Sequence, residues 1–277
     1  MKSDDLIDDI DELLASSFEE FTTQLRAAVK LSESREDTYH TGRQRRVLAV
    51  FAKTILHGMA LEALLDAPIR NRAGLLDHFT AGTITRAIID ASLMTMYLSE
   101  PSLSYKQWLL RREVLHLHEL TNRKRFLEPS GKLNPELSAR LPFFKNYEAD
   151  KKDSRARILG YCEELGIDPA KSAKLQEGQF VFTEGGRGAA REAGWDVDAH
   201  EFEQAYYSAY VHTHPVSFMK MDEQQISWSV PSDFQKNFVS MALSSAARYF
   251  EWSNARIDSF TGVEERDPLA QNFREAS

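Results

Sequence analysis

An all-α fold is predicted for this chain from two kinds of signal. Apolar residues recur at three- and four-residue spacing through the long segments, as in helices that bury one face. Prolines and glycines stand between those segments, with Pro68, Pro101, Gly166 and Pro215 at stops and Ser232 with Asp233 at a start. A strand-based architecture has almost no support, and there is no internal repeat or low-complexity tract. The expectation is a single helical-bundle domain over residues 1–261 with roughly seven to nine helices. Within it, residues 1–40 are an acidic helical segment that can be an appendage, and an irregular Gly-rich loop lies near 176–197. Residues 262–277 are polar and read as a disordered tail.

Bulk composition narrows the function classes. The chain has 277 residues, 42% of them hydrophobic, enough for a real core. A net charge of -8 argues against a broad, open nucleic-acid surface and leaves room for a local basic cleft. Cys162 is the single cysteine, so no intrachain disulfide forms and a reducing compartment, the cytoplasm, is expected. Met1 is followed by Lys-Ser-Asp-Asp with no apolar run, so no signal peptide is expected. The most apolar window, Val47 to Leu65, is broken by Lys53 and His57 and reads as a buried helix, not a membrane span.

Taken in order, the first helix is expected over residues 4–30, with Leu6, Ile10, Leu13, Leu14, Phe18, Phe21 and Leu25 on its apolar face. Asp4, Asp5, Asp8 and Asp9 suit the positive end of its dipole and also serve as a solubilising start. A second helix is expected from Thr41 to Ala67, with 68–74 as a turn. Arg43, Arg45 and Arg46 sit at its start, where cations are unfavourable, so they are candidates to meet the acidic first helix or an external anion. The third runs from Thr80 to Ser99 and is nearly all apolar, yet it carries Arg86 and Asp90 four apart. A charged pair in such a helix is costly unless its members satisfy each other or a partner, so it is structural or a site.

A fourth helix is expected to end near Phe126, followed by a loop at 128–132 and a short helix to Tyr147. It carries Arg111, Arg112, His116 and His118, and its basic end is ordinary for a helix C-terminus. Residues 148–157 read as a charged connection, 155–165 as a helix, 179–183 as a short extended piece, and 185–188 as a flexible loop. That loop lacks the spacing and lysine of a P-loop. The next helix is expected from Asp198 to Pro215, and the last from Ser232 to Phe260.

Candidate chemistry concentrates in Tyr206 to Ser217, which holds three tyrosines, two histidines and two serines. His212 and His214 converge only if Pro215 unwinds the helix end, and zinc would need further ligands from elsewhere, so no metal or other cofactor is expected. Ser208 and His212 share a helix face, but no Gly-x-Ser-x-Gly elbow accompanies them. Metal-free RNA cleavage needs a cation for the phosphate and an imidazole for the proton. Helical ribonucleases of the HEPN class (higher eukaryote and prokaryote nucleotide-binding) use Arg, four to six residues, then His, a short pattern that chance also supplies. Arg35–His40, Arg72–His78, Arg111–His116 or His118, and Arg112–His118 match it, and Arg111–His116, mid-helix, suits the geometry best.

Arg86-Ala-Ile-Ile-Asp90 with Tyr97-Leu98, the Gly185–Trp195 stretch, and Tyr206, Ser208 and His212 together resemble the signature of a bacterial all-helical domain family of unknown function. The match covers about residues 43–260. The chain departs from it twice: Phe182 stands where the family has its tryptophan, and Asp90 where it usually has glutamate. The resemblance implies that the Arg-acid helix and the Ser-His helix face each other. It also implies distant kinship with HEPN-like domains, many of them in toxin–antitoxin and phage-defence systems, which usually pair as homodimers.

Two readings follow. In the first, the chain is a metal-independent ribonuclease or nucleotide-handling toxin acting on RNA or a nucleotide, with an antitoxin or defence component as protein partner and no membrane. Arg86 then binds phosphate, His212 is the general acid or base, and Asp90 orients either. Tyr206, Ser208 and His214 position substrate, with Arg111, Arg112 and His116 completing a basic cleft. In the second, the chain is a non-enzymatic interaction or ligand-binding module, and the Arg86–Asp90–His212 cluster is structural.

Overall fold

A computed structural model describes residues 3–36, 38, 40–133, 135–136 and 141–261, without the side chains of 3–9 and 142. The predicted tail at 262–277 therefore lies outside the described residues. Every regular element among those residues is helical, as expected. The α-helices are α1 (Ser3–Glu33), α2 (Gly42–Arg70), α3 (His78–Leu98), α4 (Tyr105–Leu133), α5 (Pro142–Glu164), α6 (Pro169–Leu175), α7 (Gly185–Glu192), α8 (Val197–Val211) and α9 (Asp233–Thr261), with a 3-10 turn at Pro215–Ser217.

The chain divides into two compact units. Residues 1–99 and 193–277 form the first, so its helices come from both ends of the sequence. Here α9 packs against α1, α2 and α3, and α3 also packs against α2 and α8. Its core holds Phe18, Phe21 and Leu25 of α1, Phe51, Leu61 and Leu65 of α2, Ile88 and Ile89 of α3, Tyr207 of α8, and Tyr249 and Phe250 of α9. Glycine permits the closest approaches. A Cβ at Gly58 would stand 2.6 Å from the Phe250 ring, and one at Gly82 would stand 2.9 Å from the Phe238 ring. By length and composition α2 could cross a membrane, yet it packs Val47, Phe51, Leu61 and Leu65 into this core.

Residues 100–192 form the second unit, α4 to α7. Leu110, Val114, Leu117, Ile158, Cys162 and Leu175 make its core. Buried Glu113 accepts from Ser154 Oγ at 2.7 Å and pairs with Arg157 at 2.9 Å. Those bonds offset part of the cost of sealing a carboxylate.

Several boundaries differ from expectation for identifiable reasons. The 68–74 turn begins late, because α2 runs on through Pro68 to Arg70. Likewise α4 continues through Pro129, where the predicted loop stood. That stretch is exposed, so the carbonyl Pro129 cannot bond stays open to water. The charged run predicted as a connection is the middle of α5. Its buried stripe, Tyr147, Ser154, Ile158 and Cys162, is too thin to stand out among lysines and acids. The short α6 was not anticipated; Asp168 caps it by accepting from the Ala170 and Lys171 N–H groups, with Pro169 at the first turn. Residues 185–188 are helical in α7 instead of a flexible loop. Burial of Ala189 and Ala190 offsets the glycine cost of about 1 kcal/mol each. No strand forms at 179–183. The end of α8 falls at Val211, short of Pro215.

Local signals explain the starts. Thr41 and Gln44 form a reciprocal capping box at α2, and Asp77 and Asp196 cap α3 and α8. Arg43 turns to α3, donating from Nε to the Leu98 carbonyl at 2.8 Å, while its guanidinium lies 5.0 Å over the Phe260 ring. The acidic side chains once weighed as its partners lie outside the described residues.

Candidate functional site

The one-face spacing of Arg86 and Asp90 on α3 produces the ion pair that it predicts, Nη1 to Oδ1. Arg86 Nε also donates to Ser208 Oγ on α8 at 2.9 Å. The Arg86 side chain is 17% exposed and that of Asp90 55%. The pair is thus a clasp at the edge of the α3–α8 contact, with one end in water. Its desolvation cost is correspondingly smaller than that of a sealed pair.

One turn beyond Ser208, α8 ends in a Schellman turn. The Thr213 N–H reaches the Tyr210 carbonyl at 3.4 Å, and the His214 N–H reaches that of Ala209 at 2.9 Å. Thr213 holds φ +51°, a position glycine usually takes and a β-branched residue occupies at about 1–3 kcal/mol. His212 and His214 are exposed on either side of it, their rings 5.7 Å apart and 29° from parallel. Tyr206 is half-buried, stacked on Phe202 at 5.7 Å and hydrogen-bonded to Tyr210. Burial pushes the Tyr210 hydroxyl well above its ordinary value. Tyr206 therefore belongs to an aromatic column, together with Tyr210 and Phe238.

His78, at the start of α3, is buried among Phe79, Tyr210, Phe234 and Phe238. That burial lowers its imidazole to about 4. Its sequence match to Arg72 is therefore a core histidine.

The remaining predicted residues belong to the second unit. Arg111 is buried and ion-paired with Glu192, so its charge is already balanced inside the fold. Arg112 is half-buried and His116 exposed. His118, whose imidazole burial holds below its ordinary value, meets the Asn122 amide at 3.0 Å.

The densest polar cluster was not anticipated. Glu203 on α8 is buried and accepts from Ser245 Oγ at 2.7 Å and Tyr249 Oη at 2.9 Å, and it ion-pairs with Arg248. Tyr207 Oη and Ser245 Oγ are 3.2 Å apart, and His200 Nδ1 lies 3.0 Å from Tyr249 Oη. Both hydroxyl protons that reach Glu203 are thereby spent. Tyr207 must donate to Ser245, and His200 must donate from Nδ1 to Tyr249. Burial holds the His200 imidazole below its ordinary value, which fits this neutral tautomer. Burial likewise raises Tyr207 and Tyr249.

Beside this network lies a cavity of about 390 Å³, with Trp195, His200, Glu203, Arg248, Tyr249 and Trp252 in its lining. Trp195 and Trp252 stack at 5.1 Å, with Tyr249 edge-on to both. The Trp195 Nε1–H is buried with no hydrogen-bond partner. Leaving such a donor unpaired costs about 1–3 kcal/mol. A signal for the cluster was present in the sequence: His200, Glu203 and Tyr207 recur on one face of α8, and Ser245, Tyr249 and Trp252 on one face of α9.

Among the described residues no three His, Cys, Asp or Glu side chains form a group that could hold a metal ion. Comparisons of the chain with protein-family models, with curated proteins and with solved structures find no match.

Proposed function

We propose that the chain is a non-enzymatic helical module that binds a ligand or partner, and that Arg86, Asp90 and Ser208 are its structural clasp. The observation that carries this reading is that the Arg86 cation is engaged inside the fold: Nε donates to Ser208 Oγ and the guanidinium is ion-paired with Asp90. A phosphate at this arginine would compete with the Asp90 carboxylate. Arg111, one of the two further arginines of the expected cleft, is ion-paired with Glu192.

A second reading keeps a specific observation of its own. His212 and His214 are exposed on a turn that holds Thr213 at φ +51°, one helical turn from the serine that grips Arg86. Backbone strain of this kind collects at functional sites. It supports a metal-independent, HEPN-like ribonuclease, acting in a toxin–antitoxin or defence setting and as a homodimer, with His212 moving the proton.

One experiment separates them: labelled total RNA incubated with purified protein, with and without EDTA, beside Arg86→Ala and His212→Ala. The module reading expects no cleavage, a lower unfolding midpoint for Arg86→Ala and an unchanged one for His212→Ala. EDTA-resistant cleavage lost in both folded variants would overturn it in favour of the ribonuclease.

A further inference from the structure

A second cavity, of about 360 Å³, lies where the end of α2 and the loop after it meet α1 and the start of α9, all within the first unit. Much of its wall is apolar: Leu14 of α1, Pro68 and Ile69 of α2, Leu76, and Val230 and Pro231 just before α9. Leu14 and Leu76 are buried, whereas Val230 is 71% exposed. Part of that wall therefore stands in water, and covering it with a guest's hydrocarbon is favourable. The volume lies in the range of small-molecule sites.

The charges of this cavity do not balance. Among the described residues of its lining, Asp11 is the only acid, and Arg72 and Lys236 are the cations. Asp11 serves both: Oδ1 accepts from Lys236 Nζ at 2.6 Å and Oδ2 from Arg72 Nη2 at 3.4 Å. Two cations on one carboxylate leave one positive charge over. The distances say which cation carries it. Lys236, its side chain 16% exposed, holds Asp11 closely. Arg72, 82% exposed, stands beyond the roughly 2.7–2.9 Å of a firm charge-assisted bond. Its planar fork is thus open to a second carboxylate. A cationic guest would be repelled, and a dianion would bring one charge more than the cavity balances. A single carboxylate on a hydrocarbon body matches both the charge and the wall.

We propose that this cavity binds a short aliphatic monocarboxylate, its carboxylate on the Arg72 guanidinium and its hydrocarbon chain against Leu14, Ile69, Leu76 and Val230. The inference rests on the reading of the chain as a binding module and names the ligand class of that module. None of these residues belongs to the Arg86 clasp.

Isothermal titration calorimetry of the full chain with hexanoate, hexanamide and butyrate tests it. Hexanamide keeps the chain and the size of the head but carries no charge. Butyrate keeps the charge and lacks two methylenes. Hexanoate is expected to bind with a Kd below about 1 mM, and each of the other two about tenfold more weakly. Arg72→Gln should lose at least about fivefold for hexanoate. Its thermal unfolding should stay close to wild type, because the side chain is mostly in water and its contact with Asp11 is long. Silence with hexanoate at about 10 mM, equal affinity for hexanamide or for butyrate, or an Arg72→Gln variant that binds hexanoate unchanged would each overturn the proposal. These results leave the module reading untouched, because that reading is decided by RNA cleavage and the Arg86 variant.

Discussion

Two clusters tie α8 to its neighbours, and they are built on opposite principles. Arg86 joins α3 to α8 with a cation held by two groups, one of them the largely exposed Asp90. Glu203 joins α8 to α9 with a buried carboxylate that answers three side chains of α9, behind which His200 and Tyr207 line up. Water can replace part of the first arrangement when it opens. Less of the second is open to it, since Glu203 is buried, so a missing partner there leaves another group stranded. What looks like the more conspicuous charge pair in the sequence is therefore the weaker fastening.

That contrast can be broken most directly at Glu203. Glu203→Ala should cost about 3–5 kcal/mol, because Arg248, Tyr249 and Ser245 lose their shared acceptor. Urea unfolding measures it; a loss below that for Arg86→Met would reverse the ranking. Acid should separate the regions next. His78 takes up a proton in the fold only near pH 4, whereas the unfolded chain takes one near its ordinary value of 6.5. The unfolded state thus binds more protons between those values. Stability should be full above about pH 6.5 and fall as pH drops toward 4, by on the order of 3 kcal/mol. His200, also depressed, adds in the same direction. His78→Phe should flatten that slope in urea titrations run across pH.

Smaller effects sharpen the comparison. Gly82→Ala, one turn before Arg86, sets a methyl against the Phe238 ring and should cost about 1–3 kcal/mol. Arg86→Met should cost about 1–2 kcal/mol, and Asp90→Asn less than about 1, since its carboxylate is mostly in water. Double-mutant cycles pairing Arg86 with Ser208 would show whether the serine bond or the ion pair holds the clasp. Thr213→Gly is the one change expected to stabilise, by about 1 kcal/mol, as it relieves the left-handed backbone.

The sequence made the helices of the first unit legible because their apolar stripes are wide and their caps are explicit, as at Thr41 and Ser232. It made the Arg86–Asp90 pair legible because both residues lie on one helix, where spacing alone fixes contact. Ser208 as the partner of Arg86 was not legible, because it lies on another helix 122 residues away. The second unit read poorly. Its stripe in α5 is narrow, and Gly185, Gly186 and Gly188 signal a loop that buried alanines override. The Glu203 network escaped for another reason: its members lie on different helices, dozens of residues apart, and no local spacing encodes which acid will be sealed.

The division of the chain into units carries a consequence for its birth. Residues 100–192 draw their contacts from neighbours within the same continuous segment, so they can organise as soon as that segment leaves the ribosome. The helices α1 to α3 emerge earlier yet wait for α9, which covers all of them and begins only at Asp233. Until then the apolar faces of Phe18, Phe21 and Phe51 lack the cover that α9 supplies. These earlier helices are thus completed after the segment that follows them, and a stall in translation between 193 and 232 would leave them exposed to holding chaperones or to aggregation.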